Sequence, residues 1–213
     1  MEKDVTLAIS QELKRLLLAT QRVRVALTRN DDRDIPLQER SKKANDDGAK
    51  FFLSIHANAS LSARSEGVET YFLSTRASSK RARQLARREN EGIAFPTTPS
   101  TSELATVLKQ LRHTATHQGS QRMAINIQKT LANALDARNR GVLQAPFVVL
   151  QAPMMPAVLV EVGFLSHQTE CQLLGQRTYQ HKVAAGLMRS ILLHLASEKS
   201  TTTQQDIATV RQP

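Results

Sequence analysis

Apolar residues in this chain recur with two periods, and the periods alternate. From residue 4 to 19, Val5, Ala8, Ile9, Leu13, Leu16 and Leu17 share one helical stripe, with Glu12, Lys14 and Arg15 on the other side. That spacing predicts an amphipathic helix. Val23 to Thr28 is rich in β-formers and partly alternating, and predicts a strand. The charged run Arg29 to Asp34 reads as a loop. Pro36 suits a first helical turn, and the helix it opens reaches about Asn45 before Asp46, Asp47 and Gly48 end it. Phe51 to Ile55 is then a mostly apolar run that delivers His56 into the small residues Ala57, Asn58 and Ala59, the pattern of a buried strand reaching a sheet edge. Helix, strand, helix, strand in this order argues for a parallel sheet with crossover helices.

Gly67 to Ser74 predicts a further strand, and Ser78 to about Glu91 a basic helix carrying Lys80, Arg81, Arg83, Arg87 and Arg88. Residues 92–101 contain Pro96 and Pro99 and predict a loop. Ser100 and Glu103 have capping-box spacing, and the helix they open has Leu104, Val107, Leu108 and Leu111 on one stripe. Gly119 reads as a break before a second helix, Ser120 to Ala137. Phe147 to Leu150 predicts a short strand, Pro153 and Pro156 a turn, and Ala157 to Phe164 an apolar strand. Helices are expected over about His167 to Leu174 and Tyr179 to Ala196, and a disordered tail over 199–213. The expectation is an α/β domain over residues 1–198, with a mostly parallel central sheet of about five to six strands flanked by helices.

Composition narrows the partners. At 213 residues and 40% hydrophobic, the chain can bury one sizeable core. Aromatics are only 4%, without Trp, so Leu, Val, Ile and Ala must fill that core. The net charge of +10 points to an anionic polymer: nucleic acid, anionic lipid or an acidic cell-wall polymer. No Lys/Arg run alternates with aromatics, which weighs against nucleic acid. Cys171 is the only cysteine, so an intramolecular disulfide and a cysteine-based zinc site are both excluded. No apolar run approaches the length of a membrane span, and no signal peptide is visible.

Two residues break the apolar pattern in a way that suggests chemistry. His56 sits at a strand end, where an imidazole can bind metal, move protons or cap a backbone group. Glu161 lies amid Val158, Leu159, Val160, Val162 and Phe164. It either faces water from an edge strand or points into a site as general base or metal ligand. His113 and His117 form an i, i+4 pair, but Thr114 stands where a zinc-protease helix would carry its glutamate. His167, His181 and His194 read as surface or packing residues. The proline-rich loop and helix over residues 92–118 interrupt the β/α alternation, as a lid or regulatory segment would.

Three separated stretches together resemble the zinc-dependent N-acetylmuramoyl-L-alanine amidases of bacterial cell-wall remodelling, of the amidase-3 type. They are Glu2 to Ile9; Leu27, Thr28 and Arg29 through Leu37, Arg40, Ala44 and Asn45 to Ser54, Ile55, His56, Ala57 and Asn58; and Pro156 to Ser166. The resemblance covers residues 1 to about 197. It implies that Glu2 and His56 bind zinc (Zn2+) and that Glu161 does the acid–base work of cleaving the amide between N-acetylmuramic acid and L-alanine in peptidoglycan. Asn58 and Arg29 are expected to meet substrate, with Arg33 and Arg40 as further partners for stem-peptide carboxylates. The family's first zinc histidine belongs to an Asp-x-Gly-His-Gly-Gly segment that would lie upstream of Met1, so a truncated chain lacking the family's first strand is expected. Val162 and His167 stand where the family usually has threonine and asparagine.

The segment over about 89–119 is also similar to the insertion of periplasmic cell-division amidases, which covers the zinc until a partner protein displaces it. Glu89, Glu91 and Glu103 are the candidates for an inhibitory glutamate. The resemblance thus implies a periplasmic or otherwise extracytoplasmic monomer with peptidoglycan and an activator protein as partners, and no nucleic acid. The alternative is a non-catalytic peptidoglycan-binding relative, because Glu2 and His56 alone make a poor zinc site.

Overall fold

The computed structural model describes residues 1–90, 93 and 103–209, with side chains described over 1–90, 93 and 114–197. Helix α1 (Glu2–Ala19) buries Val5, Ile9, Leu13 and Leu17, four residues apart, as its stripe requires. Helix α2 (Leu37–Asp46) follows, then strands β1 (Phe52–Asn58) and β2 (Val68–Leu73). Helix α3 (Lys80–Glu89) starts where Ser79 accepts a hydrogen bond from the Ala82 N–H. The long helix α4 (Glu103–Leu135), β3 (Asn139–Ala145), β4 (Ala157–Phe164), α5 (Gln168–Leu174) and α6 (Arg177–Thr209) complete the order.

The sheet is mixed, with strand order β1-β4-β2-β3. β1 pairs parallel with β4, and β2 parallel with β3, but β4 and β2 meet antiparallel. Two of the three pairings are parallel, so the sheet is mostly parallel as expected, and the one reversal follows from the connections. β1 to β2 and β3 to β4 have no α-helix between them, only loop and a short 3-10 turn, Val148–Leu150. A connection without a crossover helix favours reversal of direction.

Other expectations change for identifiable reasons. Four strands are present among the described residues, not five or six. Val23 to Thr28 is irregular chain with a bend at Thr28, not a strand. Val23 and Val25 still pack against the core, but no neighbour supplies a ladder. Phe147 to Leu150 is mostly the 3-10 turn, and the strand lies just before it, at β3. β3 carries few apolar residues and Gly141 with a φ of 91°, so its pattern is weak. Gly119 does not break α4. A Cβ there would lie 2.7 Å from Pro156 Cγ, so the glycine serves close approach to the β4 entry. Helix α6 continues to Thr209, into the segment expected as a disordered tail, since extending an existing helix is far easier than starting one.

Successive residues of β4 enter two cores. Val158, Val160 and Val162 join Ile9, Ile127 and Leu187 from α1, α4 and α6. Ala157 and Leu159 join Phe52, Tyr71, Leu85 and Phe147 on the opposite face. Every residue of β4 is buried, so Glu161 does not face water from an edge strand.

Candidate metal centre

Register places the chemistry in one row. His56 on β1 is the partner of Glu161 on β4, and Glu161 is the partner of Glu69 on β2. Register partners share a face of the sheet. The alternation puts this face on the side of Phe52, Tyr71 and Leu159, which α3 covers. The helix spans the row: Arg81 in its first turn reaches Glu69, and Glu89 at its end reaches His56.

At the β1 end, Glu2 enters from the first turn of α1. Its Oε1 is 3.1 Å from His56 Nδ1 and accepts the Ala57 N–H at 3.1 Å. Glu89 Oε2 lies 3.0 Å from the same imidazole nitrogen. His56 Nε2 lies 3.1 Å from Ser54 Oγ. The ligand atoms of Glu2, His56 and Glu89 all fall within 4.8 Å of one another, the one such group of three found among the described residues.

The electrostatics show what this cluster is built to hold. Burial alone would push the His56 imidazole down. Hydrogen bonds to Glu2 and Glu89, with the charge of Glu161, outweigh it and raise the imidazole to about 10. Burial likewise works to raise Glu2, but His56, the Ala57 N–H and Arg88 leave it below its ordinary value. Glu161 is fully buried, and neither carboxyl oxygen has a hydrogen-bond partner. Burial pushes it well above the usual carboxylate range, against the pull of His56. The site therefore attracts positive charge. A proton on His56 meets that need, and a divalent cation on Glu2, His56 and Glu89 would meet it with a neutral imidazole. An N/O donor set of this kind suits zinc.

The other half of the row escaped sequence reasoning. Glu69 is 2% exposed and accepts from Tyr71 Oη and Arg140 Nε, with Arg81 Nε 3.3 Å away. Arg140 also donates to Glu66 O at 3.2 Å and stacks 4.9 Å above the Phe164 ring. The only signal available was Glu69 between Val68 and Thr70 in a predicted strand, an anomaly of the same kind as Glu161.

The remaining candidates separate clearly. Asn58 is buried and its Oδ1 accepts from Arg88 Nη2 at 2.8 Å, while Arg88 also donates to Ala59 O. Arg29 donates to Lys3 O and Asp31 O, pinning the first turn of α1 that carries Glu2. Arg33 pairs with Asp31, and Arg40 donates to Ile35 O at 2.7 Å. Glu91 and the side chains of Glu103, Leu104, Val107, Leu108, Leu111 and His113 lie outside the described residues. His117 is exposed and packs edge-on against Phe72, away from the metal cluster. His167 caps α5, and His181 meets Glu12 at 2.6 Å.

Known proteins share this chain's sequence pattern and fold. The chain is 34% identical over 195 residues to the N-acetylmuramoyl-L-alanine amidase AmiA of Escherichia coli strain K12, covering 90% of this chain and 67% of that protein. It is 34% identical over 197 residues to AmiC of Neisseria meningitidis serogroup B, covering 89% of this chain and 47% of the relative, about half its length. The catalytic domain of the amidase CwlV from Bacillus (Paenibacillus) polymyxa var. colistinus superposes with a TM-score of 0.69 at 29% identity, over 92% of this chain and 86% of that one. Residues 1–192 match the Amidase_3 family, described as N-acetylmuramoyl-L-alanine amidase. With the match running through Glu2, His56 and Glu161, the chain belongs to the Amidase_3 family of N-acetylmuramoyl-L-alanine amidases.

Proposed function

We propose that residues 1–198 form the catalytic domain of a zinc-dependent peptidoglycan amidase that cuts the amide between N-acetylmuramic acid and L-alanine. The observation that carries the reading is Glu161, fully buried, without a hydrogen-bond partner, and paired in register with His56. Glu2 and His56 would hold the metal, with Glu89 in reach of the same position. Zinc held there would polarise the scissile carbonyl and activate a water. Glu161 takes the proton from that water and returns it to the departing L-alanine nitrogen. Burial raises its proton affinity, and the charge of a bound cation would oppose that rise. Asn58 is proposed to line the substrate cleft at the end of β1, and Arg29 to keep Glu2 in place.

In the protein extended upstream to include a further histidine, Glu161→Ala keeps its metal and loses hydrolysis of purified sacculi by about 10²–10⁴-fold. Activity within a few-fold of the parent would remove Glu161 from the mechanism. Substrate location makes this an extracytoplasmic protein, and no described helix is long and apolar enough to cross a membrane.

Glu89 gives the reading its regulatory part. With the further histidine that the family resemblance implies, Glu89 would be a fourth protein group on the metal, in the position a catalytic site keeps open for water or substrate, so the segment carrying Glu89 inhibits until an activator protein moves it. Glu89→Gln should raise basal hydrolysis; unchanged or lower activity would make Glu89 an ordinary ligand. A second reading, a wall-binding relative without catalysis, is favoured by the single histidine in the cluster. Metal content decides: if this chain and its upstream-extended form both stay metal-free in zinc, the second reading holds.

A further inference from the structure

We propose that the exposed basic face of α3 is a docking surface for the free carboxylates of the wall polymer, separate from the metal centre and aimed at it. The polymer's identity rests on the amidase reading above. Lys80, Arg83 and Arg87 lie at i, i+3 and i+7, on one exposed face of α3. None of the three has an ion-pair partner among the described residues, whereas Arg33, Lys42 and Lys43 elsewhere on the surface each have one.

Helix stability explains only part of the arrangement, since Arg87 stands in the last turn, where the helix dipole favours cations. Lys80 and Arg81 occupy the first turn, where the helix dipole favours acidic residues, and that turn has none. Arg83 and Arg87, four apart, repel each other. Lys80 in the first turn and Arg83 beside Arg87 are therefore held at a local cost, as a surface kept for an anionic partner would be.

Geometry ties the stripe to the site. Ala82, Leu85 and Ala86 are buried beneath the helix. Arg81 fastens its start to Glu69 and the Arg140 carbonyl, and Arg88 fastens its end to Asn58 and Ala59. The next residue, Glu89, touches His56. Over seven residues the stripe extends roughly 10 Å along the helix axis. A polymer whose uncut stem peptides carry carboxylates, held along this face, would have a neighbouring stem near the metal ligands. The partner is polymeric and carboxylate-rich, which a compact three-cation stripe leading into a hydrolytic site suits better than a long phosphate backbone.

The test is co-sedimentation of this chain with insoluble peptidoglycan freed of phosphate-bearing polymers, in chelator so that nothing is cut. Binding should weaken with salt and fall about tenfold in R83E/R87E, while R83K/R87K binds as the parent does. K182E/R189E makes the same net change on α6, which packs on the opposite face of the sheet, and should leave binding intact. Amidating the polymer's carboxylates should reproduce the R83E/R87E loss. Undiminished binding by R83E/R87E, equal loss in K182E/R189E, or tighter binding to phosphate polymers or duplex DNA than to peptidoglycan would overturn the proposal. Cleavage of a small soluble disaccharide-peptide by the upstream-extended protein should be the same with and without R83E/R87E. If the parent cuts nothing, the amidase reading fails while the sedimentation result still judges the stripe.

Discussion

Glu161 and Glu69 stand opposite each other across the antiparallel pair at the centre of the sheet, and both are buried. One has no hydrogen-bond partner for either oxygen. The other accepts from Tyr71 and Arg140 and has Arg81 within ion-pair distance. Burying a carboxylate costs several kcal/mol unless partners compensate. At Glu69 the fold supplies that compensation itself. At Glu161 it does not, and the nearest positive group is the His56 side of the row, where three carboxylates surround one imidazole. Two glutamates on neighbouring strands therefore serve different ends. The saturated one holds β2, β3 and α3 together, and the unsatisfied one is kept for a proton or a cation.

That contrast predicts opposite responses to mutation. Arg140→Ala strips Glu69 of its main partner and leaves a charge buried, so it should destabilise the chain by about 3 kcal/mol, with Arg81 limiting the loss. Burial holds Glu161 toward its neutral form, which Glu161→Gln matches in charge and closely in shape, so in chelator its stability should stay within about 1 kcal/mol of the parent or rise. Denaturant unfolding of both variants measures the difference. Equal destabilisation would mean that Glu161 is as much a structural residue as Glu69, and the contrast would fail.

The same contrast shows how far sequence could go. His56 and Glu161 were legible because each interrupts an apolar strand pattern, and Glu2 became legible only through the family stretch that contains it. The pattern of α1, with Val5, Ile9, Leu13 and Leu17, and the double burial of β4 were likewise readable. Glu69 interrupts a strand in the same way but was missed, because its partners Arg81 and Arg140 come from a helix and from β3, 12 and 71 residues further on. The reversal at the β4 and β2 pair is not legible, since residue periodicity carries no information about which strands become neighbours. Gly119 was read as a helix break when its role is contact with Pro156, a tertiary constraint invisible along the chain.

A third carboxylate separates the effect of partners from the effect of burial. Glu12 on α1 accepts from Arg15 at 2.7 and 2.8 Å and meets His181 of α6 at 2.6 Å, as fully partnered as Glu69 but at the surface. The Arg15 guanidinium first, and His181 second, draw its pKa down from 4.5 to about 2. A carboxylate depressed in the folded state adds stability above its unfolded value, and that stability is lost as pH falls through the folded one. Glu12→Gln should therefore lower stability slightly at neutral pH, and the gap to the parent should close between about pH 4.5 and pH 2. Water screens the interaction and both partners are more than half exposed, so the gap should stay below about 1 kcal/mol. If instead Glu12→Gln costs as much as Arg140→Ala, the number of partners governs the energy, and burial does not set Glu69 and Glu161 apart.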